Sequence, residues 1–281
     1  MSVQVGRERA VTSDNAGAFQ TDVGVPGTYT AVIRGDAVVE RETSVNAPGG
    51  DVRLSLIPSV FDLTAFDQLA RSTNERLQRW TTQPSLVVIA SVMQFLDGIE
   101  DGYPAGDQKM TDLEVSRMIT HLSEGLSLWT GGTYKDFAST ITEHPAAGTA
   151  VSVKRPGKIV VGRYDGIVST TGVIGYGTWL DQADGSVIGG AIFVDRSFDQ
   201  DDARRRLLRI HELGHALGYQ HVTSRPSVMN PMIGPEPTDF DEAAGMIAFQ
   251  RPPGNRAPDR DPEPTSRIAS RSSPGWARPV P

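Results

Sequence analysis

Residues 211–221 have the sequence HELGHALGYQH, and this segment restricts the fold more than any other part of the chain. His211 and His215 are four residues apart, so a helix places both imidazoles on one face. Gly218 follows three residues later and can adopt the positive φ that ends a helix in a sharp turn. The spacing therefore predicts a helix that stops at Gly218 and a turn that returns His221 to the first two histidines.

Three converging imidazoles are typical of a catalytic zinc site, because three protein ligands leave a fourth coordination position open to water. Zinc lowers the pKa of a bound water from about 15.7 to about 7. Glu212 follows the first histidine and can accept a proton as that water attacks a peptide carbonyl. The motif therefore predicts zinc ligands at His211, His215 and His221 and a general base at Glu212. The competing interpretation is a helix that carries unrelated surface histidines.

The pattern HExxHxxGxxH followed by a methionine turn resembles the signature of the metzincin zinc peptidases. The segment SVMNP, residues 227–231, has its methionine eight residues after His221 and matches the second part of that signature. The resemblance implies that Met229 packs beneath the zinc site as an apolar floor, with Met232 as the weaker candidate. It also implies an α+β fold over residues 84–250, with a twisted mixed sheet, three main helices and the methionine turn.

The same resemblance implies a zinc-dependent endopeptidase, and it indicates where a protein or peptide substrate would bind. An edge strand above the cleft is expected to hold the substrate backbone by β-augmentation, and residues 175–180 have the position for it. The loop of residues 233–240 is expected to line the specificity pocket.

Details of the motif do not match a named subfamily. Residues 238–247 resemble the acidic start of the last helix in matrixins, but Val222 after the third histidine fits no subfamily marker. His121 and His144 are the other histidines, too few for the structural zinc site of matrix metalloproteinases. We therefore expect a matrixin-like metzincin of unassigned subfamily. The resemblance implies a secreted or extracytoplasmic protein, although the first residues contain no apolar signal sequence.

Residues 1–58 alternate apolar and polar residues between Gly, Pro and Asn, which predicts about four short strands. The run AGAFQTDVGVPGTYTAVIRGD, residues 16–36, resembles the carboxypeptidase-regulatory-like β-sandwich through its G-x-F and P-G-x-Y pattern. Such modules usually begin with one more strand, so a shortened N-terminus is expected. The predicted fold is thus a small β-sandwich followed by the catalytic domain.

The remaining segments complete the predicted organisation. Residues 59–83 have apolar residues at helical spacing and predict a helical connector. Thr111 and Glu114 form a capping box at the start of the clearest long helix. Residues 251–281 are rich in Pro, Arg and Ser with few apolar residues, which predicts a disordered tail.

Composition excludes several classes of function. The 281 residues include no cysteine, so disulfides, cysteine-ligated metals and thiol nucleophiles are ruled out. The net charge of −7 gives no basic excess for nucleic acid, and no apolar run reaches the length of a transmembrane helix.

Calcium is a weaker hypothesis at two places. The acidic run of residues 97–102 departs from the EF-hand pattern, which favours a solvated loop. Asp181 and Asp184 could bind calcium, but a hairpin turn at Asp184 and Gly185 is favoured.

Two other functions compete with a peptidase. One is a zinc-binding or adhesion protein without proteolytic activity, against which the intact Glu212 argues. The other is a protein whose N-terminal sandwich binds a carbohydrate or a cell-surface partner, although no aromatic cluster in residues 1–58 suggests a sugar platform.

Overall fold

The computed structural model describes residues 1–49, 51–96, 101–201 and 203–263. These residues form two β-sheets with helices, which is compatible with the predicted α+β class. The strands are β1 (Ser2–Val5), β2 (Val11–Thr12), β3 (Gly27–Arg34), β4 (Arg41–Ala47), β5 (Arg79–Trp80), β6 (Ser85–Gln94), β7 (Asp101–Lys109), β8 (Thr140–Glu143), β9 (Val151–Ser152), β10 (Lys158–Asp165), β11 (Gly175–Asp181) and β12 (Ser186–Asp195). The helices are α1 (Leu63–Ala70), α2 (Asp112–Trp129), α3 (Ile167–Thr171), α4 (Arg196–Asp201), α5 (Arg205–Ala216) and α6 (Asp239–Phe249).

The N-terminal segment forms one antiparallel sheet in the order β2-β1-β3-β4. The number of strands agrees with the prediction, but the described residues of this segment contain one sheet and not the two of a sandwich. Its apolar face is covered by side chains from irregular segments, because the Gly- and Pro-rich stretches between the strands do not pair as a second sheet. The packed residues are Val3, Val5, Ala31 and Ile33, with Phe19, Val23, Leu54 and Leu56 against them.

The larger sheet contains the eight strands β5 to β12. Its strand order is β11-β12-β10-β6-β7-β9, with β5 paired to β12 and β8 paired to β6. Strands β6, β10 and β12 are parallel to one another, and β11 runs antiparallel at the edge. The central strand β6 is buried on both faces, which explains its continuous apolar sequence. The helices α2 and α5 pack on one face of the sheet, and α6 packs against α2. The other face forms a smaller core around Tyr164 and Ile167.

Two connecting segments differ from their predicted structures. The connector of residues 59–83 is helical only in α1, which ends at Ala70, and it continues as turns and the short strand β5. The predicted acidic loop after β6 is the strand β7 in its described part, because it pairs antiparallel with the end of β6. Residues 97–100, which carry most of the first calcium hypothesis, lie outside the described residues.

The capping box predicted at Thr111 and Glu114 is confirmed. Thr111 Oγ1 accepts a hydrogen bond from the Glu114 backbone N–H, and Glu114 accepts one from the Thr111 backbone N–H at 2.7 Å.

In the part of the chain that the structure describes, no helix is both long and apolar enough to cross a membrane.

Residues 251–263 are ordered, so the prediction of a disordered tail starting at residue 251 is wrong for them. Arg251 and Asp259 form a fully buried ion pair, with Arg251 Nη2 2.7 Å from Asp259 Oδ2. The backbone of Asp259 and Asp261 bonds to Glu42 of β4, and Asn255 O accepts a hydrogen bond from the Leu77 backbone N–H. Polar contacts with residues far away in the sequence hold this segment in place. The number of apolar residues in the segment does not predict such contacts.

Candidate metal centre

The helix α5 carries the first two histidines and ends as the sequence predicts. Gly218 has φ +103°, and a Cβ at this position would lie 2.8 Å from the Gln78 Cβ. The Gly218 and Tyr219 backbone N–H groups donate to the carbonyls of His215 and Gly214, the bonding pattern of a Schellman C-cap. This turn directs the chain after α5 back toward the side chain of His215.

The three histidine side chains of the motif converge on one point. The Nε2 atom of His221 lies 3.2 Å from that of His215 and 3.3 Å from that of His211. Nitrogen ligands at about 2.0–2.1 Å from a tetrahedral zinc ion are separated by about 3.3 Å. The triad His211, His215 and His221 could therefore hold a metal ion, and its spacing fits zinc.

Backbone carbonyls fix the tautomer of the two helical histidines. The Nδ1 atoms of His211 and His215 lie 2.8 Å from the carbonyl oxygens of Val228 and Tyr219. A carbonyl accepts only, so each Nδ1 carries the proton and each Nε2 presents a lone pair to the common point. Two nitrogen lone pairs directed at one point favour a cation there, which supports a metal site on chemical grounds.

Burial keeps these imidazoles neutral. It lowers the pKa of His211 to about 4 against the opposing hydrogen bond to Val228, and it lowers the pKa of His215 well below the usual value. Burial also lowers the pKa of His221, which is only partly enclosed. Neutral imidazole is the form that binds a metal, so protons compete weakly with the ion near neutral pH.

Glu212 lies beside the triad and is 4% exposed. Burial raises the pKa of its carboxyl to about 8, although a hydrogen bond donated by the Gly177 backbone N–H opposes this shift. Gly177 belongs to β11 and allows it to approach α5 closely, because a Cβ there would lie 2.2 Å from the Glu212 carbonyl oxygen. The edge strand and the helix therefore enclose the carboxyl between them.

Met229 lies beneath α5 and is fully buried. Its Sδ atom is so close to the helix that a Cβ at Gly214 would come within 2.6 Å of it. Met232, the weaker candidate for this position, is 83% exposed. The structure thus places the soft apolar side chain of Met229, and not that of Met232, against the turn that carries His215.

A buried carboxylate supports the methionine turn, and sequence reasoning assigned it no role. Asp241 accepts hydrogen bonds from the Ser227 hydroxyl at 2.5 Å and from the Val228 backbone N–H at 3.2 Å. The carbonyl of Val228 is the acceptor for His211 Nδ1. Asp241 therefore supports the candidate metal ligand His211 indirectly, by holding Val228 in place. Thr238 and Asp241 form a capping box in α6, and the T-x-x-D spacing is the pattern that could have singled out Asp241.

The triad and Glu212 open into a cleft of about 570 Å³. One part of its wall is the segment of residues 172–175, which enters β11, and another part follows the methionine turn. Of the predicted pocket loop, residues 233–240, only Ile233 lines the cleft, and Pro231 and Met232 complete that wall. This part of the wall begins earlier in the sequence than predicted, because the chain leaves the methionine turn directly beside the triad.

The other candidate residues lie away from this centre. Asp184 accepts a hydrogen bond from the Ser186 backbone N–H in the predicted hairpin turn, and burial raises the pKa of Asp181. His121 contacts Arg209, and His144 is exposed. Within the described ranges, the His211, His215 and His221 triad is the one group with metal-ligand spacing.

Comparison with known families agrees with this geometry over a limited stretch. A family model described as Matrixin matches residues 192–246, which run from the middle of β12 into α6. The matched stretch contains the triad, Glu212 and the methionine turn, and it supports a metzincin-like zinc metallopeptidase domain. No curated protein matches the chain.

Proposed function

We propose that this protein is a zinc-dependent endopeptidase whose metal ligands are His211, His215 and His221. The observation that carries the proposal is the convergence of three Nε2 atoms, with His221 at 3.2–3.3 Å from the other two, beside a buried carboxyl in an open cleft. The Matrixin match over residues 192–246 is consistent with the same chemistry. We assign the protein to the matrixin-like metzincins, with export from the cytoplasm as part of this proposal.

Glu212 is the proton carrier in this proposal. Zinc held by His211, His215 and His221 would supply a Lewis acid that polarises the peptide carbonyl and acidifies a water. Glu212 takes the proton from the attacking water and delivers it to the leaving amine. Its enclosure between α5 and β11 holds the carboxyl beside the triad, and Met229 supports the helix from below.

The edge strand β11 is the proposed site for the substrate backbone. It pairs with β12 on one side only, so its outer edge can bind an extended peptide by β-augmentation. The start of β11 also lines the cleft, which places such a peptide beside Glu212. The four-stranded sheet of residues 1–58 is proposed to be an accessory unit to this catalytic part.

The first test combines zinc content with cleavage of casein. We expect one zinc per chain in the wild type and in Glu212→Gln, and cleavage lost only in Glu212→Gln. Glu242→Gln is the matched control, because Glu242 is exposed on α6. Removal of zinc with a chelator should abolish cleavage, and added zinc should restore it.

Each other outcome has a defined meaning. Cleavage by Glu212→Gln at the wild-type rate would refute the assignment of the general base. Stoichiometric zinc without cleavage of any unfolded protein would favour the zinc-binding alternative without proteolysis. Absence of zinc from the purified protein, with no uptake on addition, would refute the metal centre itself.

A further inference from the structure

The third candidate ligand, His221, lies outside the helix that holds the other two. His211 and His215 belong to α5, whose backbone hydrogen bonds fix their positions relative to each other. Residues 219–223 are irregular, so no helix or strand fixes the backbone of His221. The two helical histidines each have a carbonyl partner at Nδ1, but none of the described residues accepts a hydrogen bond from Nδ1 of His221. The position of the His221 ring therefore depends on what holds the backbone on both sides of it.

The helix α1 holds this backbone on both sides of His221. The carbonyl oxygen of Leu69 accepts a hydrogen bond of 2.7 Å from the Gln220 backbone N–H. The side-chain oxygen of Gln68 accepts hydrogen bonds from the backbone N–H groups of residues 223 and 224, at 2.9 and 3.2 Å. The hydroxyl of residue 223, a threonine, lies 3.5 Å from the same oxygen. Two neighbouring residues of α1 therefore bind the chain directly before His221 and two to three residues after it.

The end of α1 is suited to this role. Leu69 lies in the last turn of α1, where backbone carbonyls have no partner within the helix, so its bond to Gln220 satisfies one of them. The side chains of Phe66 and Leu69 are fully buried in the main core and fix the helix there. Asp62, which caps α1, also forms an ion pair with Arg225 at 3.4 Å. The helix α1 therefore meets the loop as an element that is anchored in the core.

The methionine turn supplies other contacts of this loop. The Val222 backbone N–H donates to the Met229 carbonyl at 2.9 Å, and Asn230 Nδ2 donates to the Val222 carbonyl at 2.7 Å. The methionine turn thus fixes the residue directly after His221, and Gln68 fixes the next two. Gln68 is 155 residues from Thr223 in the sequence, so a segment before the catalytic part of the chain contributes to the metal centre.

We propose that Gln68 is a positioning residue of the metal centre, whose amide oxygen clamps residues 223 and 224 and thereby holds His221 in reach of the metal ion. This inference rests on the proposed function, because it assumes that the three histidines bind zinc. Ligand distances in such sites vary by only about 0.2 Å, so a loop without its clamp provides a weaker third ligand. Partners of metal ligands typically change metal affinity by about tenfold to a hundredfold. We expect the lower end of this range, about tenfold, because Gln68 acts on the backbone and not on the imidazole itself.

The zinc affinity of the full chain, measured by competition with a chelator, tests this role without proteolysis. Gln68→Met keeps the length of the side chain but removes the oxygen, so it should weaken zinc binding about tenfold. Gln68→Glu keeps an oxygen acceptor and should bind zinc within about threefold of the wild type. Gln83→Met is the matched control, because Gln83 also bonds to the backbone, at 2.7 Å from the Asp136 carbonyl oxygen, but does not line the cleft. Its zinc affinity should equal that of the wild type.

Two further measurements separate positioning from a general effect on the fold. Cobalt(II) in place of zinc reports ligand geometry through its visible absorption. The cobalt spectrum of Gln68→Met should differ from that of the wild type, and the spectra of Gln68→Glu and Gln83→Met should match it. The urea midpoint of the metal-free protein should shift no more in Gln68→Met than in Gln83→Met. Gln68→Ala, which is too short to reach residues 223 and 224, should reproduce the loss of zinc affinity.

The outcomes separate this inference from the proposed function. Wild-type zinc affinity in Gln68→Met and Gln68→Ala would overturn the positioning role, even if casein is cleaved. An equal loss of affinity in Gln68→Met and Gln68→Glu would also overturn it, because the oxygen acceptor would then make no difference. A loss in Gln68→Met that is absent from Gln68→Glu, in a protein that cleaves no peptide, would support the positioning role and refute the peptidase. Absence of zinc binding by the wild type would overturn both.

Discussion

Asp259 is the residue whose replacement most directly tests whether the segment after α6 belongs to the folded protein. Its Oδ1 accepts hydrogen bonds from Arg251 Nε at 2.8 Å and Asn255 Nδ2 at 3.0 Å. Its Oδ2 accepts one from Arg251 Nη2 at 2.7 Å, and Arg41 Nη1 lies 3.8 Å away. The change Asp259→Ala removes the carboxylate and therefore all of these contacts at once.

The expected loss follows from the burial of the cations that remain. The side chains of Arg251 and Asp259 are 0% exposed, and that of Arg41 is 5% exposed. Removing one member of a buried ion pair typically costs about 3–5 kcal/mol, because the other charge stays buried without its partner. Arg41 keeps its ion pair with Asp261, so we expect Arg251 to account for most of the loss.

Urea unfolding measures this loss at a fixed zinc concentration, since bound ligand shifts apparent stability. The fluorescence of Trp80 and Trp129, both fully buried, reports loss of the core. Glu263→Ala is the control, because Glu263 is exposed in the same segment and its replacement should change the unfolding free energy by less than about 0.5 kcal/mol. An Asp259→Ala protein as stable as Glu263→Ala would show that residues 251–263 do not stabilise the fold, and the disordered-tail interpretation would stand.

Three further predictions concern the site and its supports. Asp241→Asn should weaken zinc affinity by about tenfold to a hundredfold in chelator competition, because Asp241 supports a ligand through the methionine turn, whereas Asp239→Asn at an exposed position should have no effect. Gly177→Ala places a Cβ 2.2 Å from a carbonyl oxygen of α5 and should reduce casein cleavage at least about tenfold, so an unchanged rate would contradict the close approach of β11. Burial opposes ionisation of Glu114, but hydrogen bonds from the α2 cap and from Arg163 outweigh it and lower the pKa of Glu114 to about 2. Since this folded pKa lies below the unfolded value of 4.5, the advantage over Glu114→Gln is present above pH 4.5 and is lost toward pH 2. Urea unfolding should show that advantage shrinking by about 2 kcal/mol between about pH 6 and about pH 3, and a constant difference would contradict it.

Local sequence patterns predicted the elements whose geometry depends on near neighbours. The four-residue spacing of His211 and His215 is sufficient to place both on one helical face, and Gly218 is sufficient to end that helix. The capping box at Thr111 works in the same way, because its donors and acceptors are three residues apart. Such features depend on backbone geometry over one or two turns, which a single sequence contains in full.

Features that depend on distant residues were not predicted. The extent of the cleft wall, the support of the Val228 carbonyl by Asp241 and the order of residues 251–263 all depend on contacts between separate segments. The polar sequence around Arg251 and Asp259 predicted a solvated tail. The periodicity of apolar residues reveals apolar faces, but it does not reveal pairs of complementary charges that become buried together. The sequence by itself determined the chemical groups of the candidate metal centre and their helical spacing. The tertiary structure decided which carbonyls orient those groups, which strand encloses Glu212 and which charges become buried, because these depend on the packing of residues far apart in the chain.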